Sequence, residues 1–153
     1  MTIAELFARH RRIGLDANVL VYLLEAIEPR AHVARRLLRA VEEGGAVGIL
    51  SAIGLAEVLV GPTRHGDLAL TERYSDEIRG MPGLAVVPLD PQVAADAAVI
   101  RGVRAIGLAD AIHLASARAA GATAFVTNDR TLRGSPKLEI VYLDELEIGP
   151  AAA

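Results

Sequence analysis

"RIGLDANVLVYLLEAI" (residues 12–27) decides how the rest of the chain is read. Its first four residues form a short β-like run. Asp16 follows at once, and the apolar residues after it keep helical spacing to about Ile27. A strand has given way directly to a helix, with a carboxylate at the junction. The pattern recurs. "AVGIL" (46–50) reads as a buried strand; Ser51 is then placed to cap a helix that carries Glu57 and stops near "GP" at 61–62.

The remaining elements follow by the same logic. Residues 29–45 read as a helix, with Pro near the start, apolar Val33, Leu37, Leu38 and Val41 on one face, and a Gly pair at the end. A polar amphipathic helix covers 66–79, and "LAVVPL" (84–89) is a strand. "DPQVAADAAVIRGVRA" (90–105) opens with an Asp cap and has Pro at the first helical position. "LADAIHLASARAA" (108–120) is a helix closed by Gly121, and "TAFVTN" and "LEIVYL" are the last strands. Strands alternating with helices of this length predict an α/β sandwich with a central, mostly parallel sheet. One domain over residues 1–148 is expected, with 149–153 as a frayed tail. Strand order is not legible from spacing.

The 153 residues are 52% hydrophobic, enough for a sizeable core, and the mean hydropathy is +0.36. Aromatics make up only 3%, which argues against the base-stacking platforms of single-strand binders. No cysteine is present, so thiolate and disulfide chemistry are excluded. No apolar run is long enough to span a membrane, and the N-terminal stretch lacks the apolar core of a signal peptide, so a cytoplasmic protein is expected. The net charge of −3 does not advertise a nucleic-acid binder.

Acids sit where such a sheet builds its sites. In open α/β sheets ligands bind beyond the carboxyl ends of the strands. Asp16 and Asp129 each lie just after a strand, Glu57 about two turns into the helix after the second strand, and Asp110 at the start of a helix. Two unit charges 4 Å apart repel by about 4 kcal/mol at an effective dielectric of 20. Close carboxylates must therefore either protonate, with raised pKa values, or share a cation. An all-oxygen set points to Mg²⁺ or Mn²⁺ rather than zinc. A hard cation of this kind can activate water and stabilise charge on phosphate oxygens, which implies phosphodiester hydrolysis.

Each residue also has a plainer explanation. Asp16 or Asn18 is in place to cap a helix, Asp110 to meet a helix dipole, and Asp129 to form a turn. Glu57 has no such explanation, because it lies mid-helix among Ala, Leu and Val. His113, three residues after Asp110, lies about 60° from it on a helical wheel and is expected to be a structural, hydrogen-bonded histidine. Asp96 is expected on a solvated helix face. Arg101, Arg104, Arg130 and Arg133 are available for phosphates but are equally ordinary solvated surface.

"IGLDANVLVYLLE", "AEV", "LADAIHLASA" and "FVTNDR", in this order, resemble the PIN-domain family, and within it the small VapC-type toxins. The acids are 41, 53 and 19 residues apart, and the match runs over essentially the whole chain. The resemblance implies a three-layer α/β/α fold and a Mg²⁺- or Mn²⁺-dependent endoribonuclease. It makes Asp16, Glu57, Asp110 and Asp129 metal ligands, with Thr127 supporting the site and Asn18 assisting. It also implies an RNA substrate, a homodimer, and a cognate antitoxin that holds the protein inactive. The alternative is a catalytically inactive PIN-like module that binds RNA or protein. Other acid-after-strand folds fit less well. A dehalogenase-like phosphatase needs a second Asp where Asn18 stands, a receiver domain needs a late-strand Lys, and a dinucleotide-binding domain needs a Gly-rich turn after a strand.

Overall fold

A computed structural model of the chain describes residues 1–133 and 137–149. Its elements in chain order are α1 (Ile3–Arg9), β1 (Arg12–Leu15), α2 (Ala17–Leu24), α3 (Arg30–Glu42), β2 (Val47–Ser51), α4 (Ala52–Arg64), α5 (Leu68–Arg79), β3 (Leu84–Val87), α6 (Pro91–Val103), α7 (Leu108–Ala119), β4 (Ala124–Thr127) and β5 (Glu139–Tyr142), with a 3₁₀ turn at Leu143–Glu145. The strands form one sheet in the order β3-β2-β1-β4-β5, and every neighbouring pair is parallel. The expected α/β/α sandwich is present, and its sheet is wholly parallel rather than mostly so.

Strand alternation builds the two outer layers. Ile13 and Leu15 of β1, Leu50 of β2, and Ala124 and Val126 of β4 face one side, where they pack with residues of α1 to α5. Ile49 and Phe125 face the other side, against α6 and α7. Gly14 lies between Ile13 and Leu15 and points at the second layer. A Cβ there would sit 2.5 Å from Phe125 Cδ2 and 2.7 Å from the Cβ of Ala117. Glycine at this position, with buried Ala111, Ala115 and Ala117, lets α7 lie close on the sheet.

The capping predicted for two helices has side-chain support: Ser51 accepts from the Gly54 N–H and Asp90 from Val93. Asp67, accepting from Leu70, caps α5 as well. Three expectations need correction. Helix α1 adds to the elements expected from the sequence, and Thr2 and Glu5 form a reciprocal capping box at its start. Helix α2 stops at Leu24 rather than Ile27, because Ala26 takes φ 52° and the Ile27 N–H turns back to the Tyr22 carbonyl. Helix α4 continues through Pro62 to Arg64 instead of stopping there. Pro62 is buried, and the Thr63 hydroxyl donates to the Leu59 carbonyl at 2.7 Å within the turn the proline weakens. The tail expected to fray lies outside the described residues except for Gly149.

Candidate active site

The strand order places a topological switch at β1. The chain passes from β1 to β2 on one side, and β4 lies on the other. The carboxyl ends of these three strands carry Asp16, Ser51 and Thr127. This is the edge at which open α/β sheets hold ligands.

Asp16 is the buried centre of the site, 7% exposed. Its backbone N–H donates to the Val126 carbonyl across the β1–β4 seam at 2.9 Å. Asp16 occupies the N-cap position of α2, yet its side chain makes no capping hydrogen bond. The carboxylate is instead fixed from elsewhere. Oδ2 accepts from the fully buried Thr127 hydroxyl at 2.6 Å and from Asn18 Nδ2 at 3.2 Å. Among the described residues nothing donates to Oδ1. Asn18 Oδ1, beside it, is also buried without a partner.

Glu57 reaches the same place from α4. One oxygen of Asp16, one of Glu57 and one ring nitrogen of His113 lie within 4.8 Å of one another. His113, expected to be structural, is buried at 2% exposure and hydrogen-bonded at both ring nitrogens. Nδ1 pairs with Ser51 Oγ at 2.6 Å and Nε2 with Glu57 Oε2 at 3.0 Å. The sequence signal for this contact was weak: a polar ring on the apolar side of α7, with its partners 62 and 56 residues away.

Asp110 stands in the first turn of α7 and is half-buried. Burial pushes its carboxyl pKa up, and the charges of Asp129, Asp16 and Glu57 push the same way. Asp110 therefore feels all three other acids. Asp129 also shows the turn geometry its context suggested, since Oδ1 accepts from the Thr131 N–H at 2.9 Å and hydroxyl at 2.7 Å. Its own N–H donates to Thr127 Oγ1 at 3.0 Å, so Thr127 links two of the acids.

Asp96 is exposed and accepts from Gln92 on its own helix. Of the arginines considered for phosphates, Arg130 is paired with Glu145 and stacked on Tyr142, and Arg104 donates to the Arg133 carbonyl. Arg101 and Arg133 are exposed.

The donor set fits a hard cation. A buried carboxylate oxygen and a neighbouring amide oxygen that receive no donor among the described residues, and a nearby acid whose ionisation is opposed by burial and by like charges, are all relieved by positive charge.

A wholly parallel α/β domain with carboxylates gathered at its switch point defines a class of acidic-site domain. The sequence profile of the PIN domain matches residues 13–137, and the chain belongs to that family. No curated protein sequence matches it. Among solved structures, it is similar to VapBC2 of Rickettsia felis bound to a promoter DNA fragment. The TM-score is 0.68 at 18% identity, covering 86% of this chain and 98% of that one. DNA-bound VapBC of Salmonella typhimurium gives 0.64 at 21%, with 86% and 98% covered. The Mycobacterium tuberculosis toxin VapC20, described as cleaving the sarcin–ricin loop, gives 0.58 at 21%, with 74% and 86% covered. At these identities the likeness is one of fold.

Proposed function

We infer that this protein is a divalent-metal-dependent endoribonuclease, the toxin of a VapBC-like toxin–antitoxin pair. The observation that carries the inference is the cluster at the switch point, where donor atoms of Asp16, Glu57 and His113 lie within 4.8 Å of one another and Thr127 joins Asp16 to the Asp129 backbone. Family membership and the toxin–antitoxin complexes among the structural relatives support it.

Asp16, Glu57, Asp110 and Asp129 would hold the ion. Thr127 and Asn18 fix Asp16 with Oδ1 open. Thr131 fixes one oxygen of Asp129, and among the described residues nothing donates to the other. A bound Mg²⁺ or Mn²⁺ supplies Lewis acidity toward phosphate oxygens and a water of lowered pKa. The antitoxin would reach this pocket with a cation of its own, since an acidic pocket suits a bidentate arginine. The active species is taken to be a cytoplasmic homodimer.

The test is cleavage of loop-containing RNA with Mg²⁺ or Mn²⁺, alongside EDTA and the Asp16→Asn and Asp110→Asn variants. Cleavage lost in all three controls is expected. Cleavage that persists in EDTA or in the variants refutes the mechanism. Absence of cleavage by a wild-type protein that does bind RNA favours a non-catalytic binding module.

A further inference from the structure

His113 lies within reach of Asp16 and Glu57 and so has the position of a metal ligand. Its hydrogen bonds assign it a different task. We propose that His113 is a positioning residue: Ser51 locks it in the tautomer that carries the proton on Nε2, and it orients Glu57 without binding the cation. The proposal rests on the acidic site being the functional one.

Donor bookkeeping decides the tautomer. Ser51 Oγ already accepts the Gly54 N–H at 2.9 Å, which caps α4. Among the described residues its own proton has one acceptor, His113 Nδ1 at 2.6 Å. Nδ1 therefore presents a lone pair, and the ring proton sits on Nε2. From there it is donated to Glu57 Oε2 at 3.0 Å. A protonated ring nitrogen cannot ligate a metal.

The arrangement solves a local problem. The Glu57 side chain is 42% exposed, long, and free to rotate, whereas that of His113 is 1% exposed and cannot move. Fixing one oxygen of Glu57 through a rigid ring organises the carboxylate before any ion arrives and leaves its other oxygen open. One turn of α7 thus supplies Asp110 directly and Glu57 by proxy. The lock also keeps a nitrogen donor out of the ligand set, which holds the site to hard, oxygen-binding cations.

Two measurements test this. Long-range ¹H–¹⁵N correlation on the metal-free chain labelled with ¹⁵N-histidine reads the tautomer directly. Protonated Nε2 with bare Nδ1 at His113 is expected, and the reverse overturns the proposal. Mn²⁺ titration then compares wild type with His113→Gln, whose amide N–H reaches about as far as Nε2, and His113→Asn, whose amide does not. His113→Gln should bind within about threefold of wild type and His113→Asn should be weaker by about 10- to 100-fold, as for other partners that orient ligands. Equal loss in both, no loss in either, or a directly bonded ¹⁴N coupling in the pulsed EPR spectrum of bound Mn²⁺ overturns it. A wild-type chain that takes up no Mn²⁺ refutes the metal-dependent function, while the tautomer measurement still decides the lock.

Discussion

Glu57→Gln should make the metal-free protein no less stable while removing most of its response to a divalent cation. A carboxylate oxygen of Glu57 lies within 4.8 Å of one on Asp16. At that distance two unit charges repel by about 3.5 kcal/mol at an effective dielectric of 20 and about 0.9 kcal/mol in bulk water. Asp16 is buried, but the Glu57 side chain is 42% exposed, so solvent screening puts the operative value low in that range, at about 1–2 kcal/mol. Glutamine keeps the shape and keeps an oxygen to accept the His113 proton. It gives up the charge assistance of that hydrogen bond, a loss of about 1 kcal/mol. The net effect without metal is between nothing and a gain of about 1 kcal/mol, or up to about 2–4 °C in Tm for a chain of this size.

A cation reverses the ranking. At 100 times its Kd, Mn²⁺ stabilises the wild type by about 2.7 kcal/mol, and the variant gains much less because a charged ligand is gone. Thermal melts followed by circular dichroism, at neutral pH in EDTA and again in Mn²⁺, measure both halves. A variant that melts several degrees below wild type in EDTA, yet gains as much from Mn²⁺, would mean that Glu57 is only a structural acceptor for His113. The cation site would then have to be abandoned.

Asp110→Asn should show its effect through pH. The folded-state pKa of Asp110 is raised, so the wild type loses stability as pH climbs above the ordinary value of 3.8, where the unfolded chain ionises first, and the deficit persists to neutral pH. The variant's advantage in EDTA should be absent below that value and grow above it. A disadvantage that instead grows above that value would show that the favourable helix dipole, worth about 0.3–1 kcal/mol, outweighs burial and the neighbouring acids. Thr127→Val removes the 2.6 Å bond to a buried carboxylate and should cost about 1.5–3 kcal/mol in urea denaturation, with Thr127→Ser largely restoring it. Gly14→Ala drives a methyl group into Phe125 and Ala117 and should cost about 1–3 kcal/mol; a neutral result would mean that α7 can lift off the sheet freely.

Local chemistry accounts for what was legible in the linear chain. Strand β1 was read at its observed bounds, and most other elements within a few residues, because alternation and helical spacing report burial directly. The caps at Ser51 and Asp90 were visible for the same reason: a side chain two or three residues from an orphan N–H needs nothing distant to act. Pro62 does not end α4: the cost of a proline is set locally, whereas its burial is set by the assembled fold. The capping box of Thr2 and Glu5 is an equally local signal, three residues apart at the start of α1.

Tertiary structure decided the rest. The order β3-β2-β1-β4-β5 depends on long-range pairing, and nothing in the spacing of the strands encodes it. That order brings Thr127 to Asp16 across 111 residues, and it is Thr127 that takes Asp16 from helix cap to site carboxylate. The role of His113 is the sharpest case. A histidine on the apolar side of a helix is the same five-membered ring in the sequence whatever it does, and the location of its proton depends on Ser51, 62 residues away. The acids could be nominated from their positions after strands, but which oxygen is held, which is open and which carboxyl resists ionisation are properties of the assembled edge, because hydrogen bonds and Coulomb forces act through space rather than along the chain.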